Sequence, residues 1–112
     1  MQAEAFEYPE EFFTQKTHSI RQIKLDDAEL DHAIELLIKS KKPLIIAGGG
    51  VHYAKACEDL QHFAKQHQIP VAETSAGKGA LAWDHSSYVG AIGVTGSNAA
   101  NNMAKQADLV LA

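Results

Sequence analysis

An α/β fold is predicted, a Rossmann-like three-layer arrangement of parallel strands with flanking helices, and three features of the sequence carry it. Short apolar runs alternate with segments of one-sided helical periodicity. The clearest run, LIIA at residues 44–47, is apolar at every position, as suits a parallel strand covered on both faces. That run passes directly into three glycines and then into a further helical stretch.

Taken in order, residues 1–25 mix acids with Phe6, Tyr8, Phe12 and Phe13 and hold no period, so they read as an arm whose aromatics need a surface. Leu30, Ala33, Ile34, Leu37 and Ile38 then recur at helical spacing, with Asp26 and Glu29 placed as a capping box. Lys39, Lys41 and Lys42 complement the negative end of that helix and Pro43 stops it. After the Leu44–Ala47 strand, Ala56, Leu60, Phe63 and Ala64 make the stripe of a second helix. A second strand follows in IPVAET. Ser75 to Gly96 carries five of the eight glycines and reads as a long loop with a brief extended piece near Tyr88 to Ile92. Ser97 or Asn98 then caps a helix with an alanine-rich face, and ADLVLA is a last strand. Because the chain stops inside that apolar run, it is expected to be one half of a larger sheet. In a 3-2-1 strand order the Leu44–Ala47 strand would lie at an edge. Pairing through that edge or the adjoining helix faces would give a homo-oligomer.

Composition narrows the function. The 112 residues suffice for one core, with 46% hydrophobic and 21% charged residues and no apolar run near the ~18 residues of a membrane span. A net charge of −4 with scattered lysines provides no phosphate-backbone footprint, so nucleic acid is not an expected partner, and neither is a membrane. One cysteine and an acidic amino terminus suit a reducing cytoplasm.

Candidate sites are few. Gly48 and Gly50 fit the first two places of the dinucleotide fingerprint, but Tyr53 stands at the third. The Gly48–Gly50 turn is therefore either a tight corner using positive φ or a ligand contact, with Glu73 at the end of the second strand as weak support for the latter. Gly90, Gly93 and Gly96 precede a helix start with Thr95, Ser97 and Asn98, which either binds an anion or is simply capped. Lys78 lies between glycines in the long loop. Of the six histidines, His62 and His67 are nearest in sequence but diverge on a helix, so no metal site is expected. Cys57 has no evident histidine partner, and no pair of carboxylates stands out as acid and base.

The series KKPLIIAGGGV, IPVAET, GKGALAWDH, GAIGVTGSNAAN and ADLVLA, with these gaps, resembles the central domain of the thiamine-diphosphate-dependent enzymes of the acetolactate synthase and pyruvate decarboxylase group. The resemblance covers about residues 26–112, the amino-terminal part of that domain. The GGGV turn, VAET and GAIGVTG are most similar to the branch that hydrolyses a C–C bond of a trihydroxycyclohexanedione to 5-deoxy-glucuronate in inositol degradation. QAEAFEYPEEFF is similar to the stretch leaving that branch's pyrimidine-binding domain. The loop departs from relatives at Ala82-Trp83 and His85-Ser86, where they carry Leu-Pro and His-Pro.

The resemblance implies that thiamine diphosphate and Mg²⁺ are held by domains outside this chain, together with the activating Glu, so no catalytic residue is expected here. It also implies that FAD or ADP, which some relatives bind in this domain, would meet Gly48, Gly49, Gly50, Val51, Gly93, Thr95, Gly96 and Ser97. The other domains of the parent enzyme are its expected partners. An acetolactate-synthase-like carboligase domain and a stand-alone flavin or nucleotide-binding module are the alternatives.

Overall fold

The computed structural model describes residues 4–19, 21 and 23–112, so positions 1–3, 20 and 22 of the expected arm lie outside the described residues. Every described residue of the arm is exposed, and a short 3-10 turn at Glu10–Phe13 gathers its aromatics. Tyr8, Phe12 and Phe13 lie on one another with ring centroids 5.0 to 6.2 Å apart.

The body is a four-stranded, all-parallel sheet. Helix α1 (Asp27–Lys39) leads into β1 (Pro43–Ala47), and α2 (Gly49–Tyr53) and α3 (Cys57–His67) lead into β2 (Val71–Glu73). After the loop come β3 (Tyr88–Ala91), α4 (Asn98–Gln106) and β4 (Leu109–Leu111). The Asp26 carboxylate caps α1 by accepting from the Ala28 N–H, and Ser97 Oγ caps α4 by accepting from Ala100 N–H.

Strand order is β3-β2-β1-β4, with Ile45 opposite Val71 on one side and Leu111 on the other. The expected edge position of the Leu44–Ala47 strand is therefore wrong: β1 is interior and β3 and β4 are the edges. The extended piece at Tyr88–Ala91 takes the place beside β2, which leaves the ADLVLA strand only the free side of β1. A strand apolar on both faces belongs in such an interior position.

The second helix also differs from expectation, because it is two pieces. Lys55 adopts φ +56°, its N–H donates to the His52 carbonyl, and the Ala56 N–H donates to the Val51 carbonyl. These two bonds make a Schellman ending for α2. The left-handed position is held by Lys where glycine is usual, so the sequence carries no break signal there.

The two sheet faces have separate cores. Ile45, Ala47, Val71 and Ile69 pack with Ala64 of α3, Leu37 of α1 and Leu111 on one face. On the other, Leu44 and Ala72 pack against Ala100 and Ala104 of α4. Alanines on that helix bring its backbone close to the sheet, as the small-residue face predicts.

Entry into β1 and β4 is locked by Asp108, which accepts from the Ser40 hydroxyl and, at 2.8 Å each, from the Lys41 and Lys42 N–H groups. The Ser40 bond, then those two N–H groups, hold its carboxyl down at about 2. An unfolded Asp titrates near ~3.9. The clip thus contributes stability above about pH 4, and that contribution is lost as pH falls through about 2. Asp108→Ala is expected to lower the melting temperature at pH 7 and to flatten its fall between about pH 4 and 2, read from thermal melts across a pH series.

Candidate functional site at the carboxyl end of the sheet

In open parallel sheets ligands sit beyond the carboxyl ends of the strands, where the strand order reverses. Here the reversal falls between β1 and β4, since β2 and β3 extend the sheet one way and β4 the other. The segment leaving β1 at that point is Gly48–Val51.

Positive φ is not what these glycines supply. Gly48 is extended at φ −106° and ψ −173°, and Gly49 and Gly50 begin α2. Nor does packing within the chain demand all three. A Cβ on Gly50 would meet nothing within 4 Å, and one on Gly48 only the Thr74 hydroxyl at 3.9 Å. A Cβ on Gly49 would touch Ala76 Cβ at 3.4 Å and the Tyr53 ring at 3.8 Å. Tyr53, the residue that breaks the dinucleotide fingerprint, thus leans back over the turn.

Beside this turn stands a tightly organised loop. The Thr74 N–H and hydroxyl both donate to the Ala47 carbonyl, at 2.9 and 3.3 Å, and the same hydroxyl accepts from the Gly77 N–H. Gly77 is buried, and a Cβ there would come within 2.0 Å of the Ala47 carbonyl oxygen. Glu73 is buried at 2% exposure, with its two carboxylate oxygens accepting from the N–H groups of Gly79 at 3.2 Å and Leu81 at 2.9 Å. It faces its own loop and is engaged there, which is not the exposed geometry of an acid reaching for a ribose. Burial first, and then the neighbouring Glu73 charge, raise the pKa of Tyr88. Lys78, between Gly77 and Gly79, is exposed and forms no ion pair among the described residues.

The second glycine set starts within β3 and continues beyond it, two strands away from Gly48. Gly90 (φ +101°) sits where β3 bulges against β2, and Gly93 (φ +116°) turns the chain toward α4. Gly93 bonds through both N–H and C=O to the Asn101 side chain, and the Gly96 N–H donates to the Gly93 carbonyl. A Cβ on Gly96 would strike the Ala91 carbonyl oxygen at 2.5 Å. Ser97 Oγ donates to the Val89 carbonyl while capping α4. Gly93, Gly96 and Ser97 are thus engaged in building the β3–α4 turn. Thr95 follows the exposed Val94 in it.

One pairing was not legible in the sequence. Cys57 Sγ lies 3.4 Å from His52 Nδ1, so the expectation that Cys57 lacks a histidine partner is overturned. In an unbroken helix residues five apart diverge; the reversal at Lys55 folds α2 back and brings them together. Among the described residues, no three His, Cys, Asp or Glu side chains converge as a metal set. Among those residues too, no helix is long and apolar enough to cross a membrane.

Comparison with known proteins agrees with this architecture. The family described as "Thiamine pyrophosphate enzyme, central domain" matches residues 30–112. The chain is 44% identical over 111 residues to the 3D-(3,5/4)-trihydroxycyclohexane-1,2-dione hydrolase of Clostridium tetani (strain Massachusetts / E88), covering 99% of this chain and 17% of that protein. Proteins of the same name from Bacillus thuringiensis (strain Al Hakam) and Shouchella clausii (strain KSM-K16) are 46% and 43% identical, with the same coverage. The chain thus spans about one sixth of the length of the curated relatives it matches. With a family match over residues 30–112, most of its length, the chain belongs to the central-domain family of the thiamine pyrophosphate enzymes.

Proposed function

We propose that this chain is the central-domain part of a thiamine-diphosphate-dependent hydrolase that opens the trihydroxycyclohexanedione ring, and that it serves there as a scaffold without catalytic groups of its own. The observation that carries the reading is identity of 43–46% along 99% of the chain to relatives bearing that activity in their names. In this reading residues 1–25 link to a preceding pyrimidine-binding domain, and residues 26–112 are the amino-terminal part of the central domain. Other domains hold thiamine diphosphate and Mg²⁺ and are the chain's main partners, and the whole protein works in the cytoplasm as a homo-oligomer. Thiamine diphosphate, when bound, supplies the electron sink for breaking a C–C bond. The residues of this chain keep a rigid parallel sheet between the domains that do so.

For FAD or ADP the available surface is Gly48–Val51. The turn lies at the strand-order reversal, and neither φ nor packing within the chain calls for Gly50. The Gly93–Ser97 turn offers less, because Gly93, Gly96 and Ser97 are committed to one another and to α4. Any nucleotide contact is therefore one-sided and weak.

The test is a graft. Placing this chain in the C. tetani hydrolase, in exchange for the equivalent stretch, should retain thiamine-diphosphate-dependent ring opening, while the purified chain alone should show none and carry no flavin spectrum. A folded but inactive graft would refute the hydrolase assignment. Tight flavin uptake by the isolated chain would favour the stand-alone module.

A further inference from the structure

Helix α1 buries little of what its sequence offers. Leu30, Ile34 and Ile38 remain 45%, 44% and 78% exposed, and only Leu37 reaches the core. Together with Phe63 and Leu111 they border an apolar groove of about 880 Å³. Unpartnered apolar surface of this kind marks an interaction site.

The next crossover of the sheet would not supply the cover. The β3–α4–β4 crossover lies on the α4 face. A right-handed connection from β4 to a further strand beside it continues in the same direction, so its helix would also lie on the α4 face, over the half-exposed Val110. The α1 groove is on the opposite face.

Charge along α1 indicates what does cover it. Asp26 and Asp27 stand at one end of the apolar stripe and Lys41 and Lys42 at the other, with Ile34 midway. An antiparallel pair of such helices about a two-fold axis at Ile34 sets Leu30 against Ile38 and each acidic end against a basic one. A parallel pair would oppose like charges. We propose that this face binds a second copy of the chain, α1 against α1, antiparallel and isologous. The inference makes specific the homo-oligomer named above, and it holds whichever reaction the longer protein performs.

Sedimentation of the full 112-residue chain across a concentration series tests it. The expected mass rises from one chain to two, and Ile34→Asp, which places an unpaired charge on the axis, weakens the dimer about 100-fold or more. Because Ile34 is half exposed in the single chain, that variant should keep its circular dichroism. As a second check, Asp27→Lys and Lys41→Asp should each weaken the dimer, and the two together should restore it. A chain that stays monomeric at high concentration overturns the proposal and assigns the groove to another part of the longer protein. A dimer indifferent to Ile34→Asp also overturns it, since the contact then lies elsewhere. Neither result bears on the graft, whose readout is ring opening.

Discussion

Gly77→Ala should destabilise the fold by about 3 kcal/mol or more, a fall of roughly 10–20 °C in melting temperature. The added methyl would lie 2.0 Å from the Ala47 carbonyl oxygen and 2.6 Å from its carbon. Both are main-chain atoms of an interior strand, so no side chain can swing aside to relieve the contact. That same carbonyl accepts from the Thr74 N–H and hydroxyl, and moving it would strain the loop as well. Gly50→Ala provides the contrast. It meets nothing within 4 Å and lies in helical backbone, so it should stabilise by about 0.5–1 kcal/mol. Urea titrations of the two variants beside the parent chain measure both. Equal losses would contradict the close approach of the loop to β1.

Glu73→Ala should have the next largest effect, about 3 kcal/mol. It removes the acceptor of the buried Leu81 N–H as well as that of Gly79, and an unsatisfied buried donor costs about 1–3 kcal/mol beyond the lost charged hydrogen bonds. Glu73→Gln keeps one acceptor oxygen and should lose less than half as much. Hydrogen exchange gives the decisive readout: the Gly79 and Leu81 amides should become labile in the alanine variant, ahead of the strands. Tyr88 adds a pH dependence. Its pKa is raised in the folded state, so stability holds below about pH 10 and is lost as pH rises through the raised value. Removing the Glu73 charge should weaken that alkaline loss.

Much of this fold could be read from side-chain pattern. The apolar run at residues 44–47, the stripe of α1, the caps at Asp26 and Ser97 and the alanine face of α4 are local features, and local physics placed them correctly. What escaped depended on main-chain atoms far apart in sequence. The interior position of β1 rests on its pairing with Leu109–Leu111, and the break at Lys55 uses a residue with no turn signature. The glycines show the same divide. The triple glycine attracts attention, yet Gly77 and Gly96 are the positions where a Cβ would strike main-chain atoms. Their necessity comes from the Ala47 and Ala91 carbonyls, which only the folded chain brings near.

The interior placement of β1 also bears on how the protein is made. Lys42 and Asp108, which join its entrance to that of β4, are 66 residues apart. On the ribosome, one row of main-chain donors and acceptors on the most apolar ribbon must wait until the chain has grown through Leu109–Leu111. Until then it is open to any extended peptide nearby, which makes it the place where nascent chains would aggregate and where a chaperone would hold them.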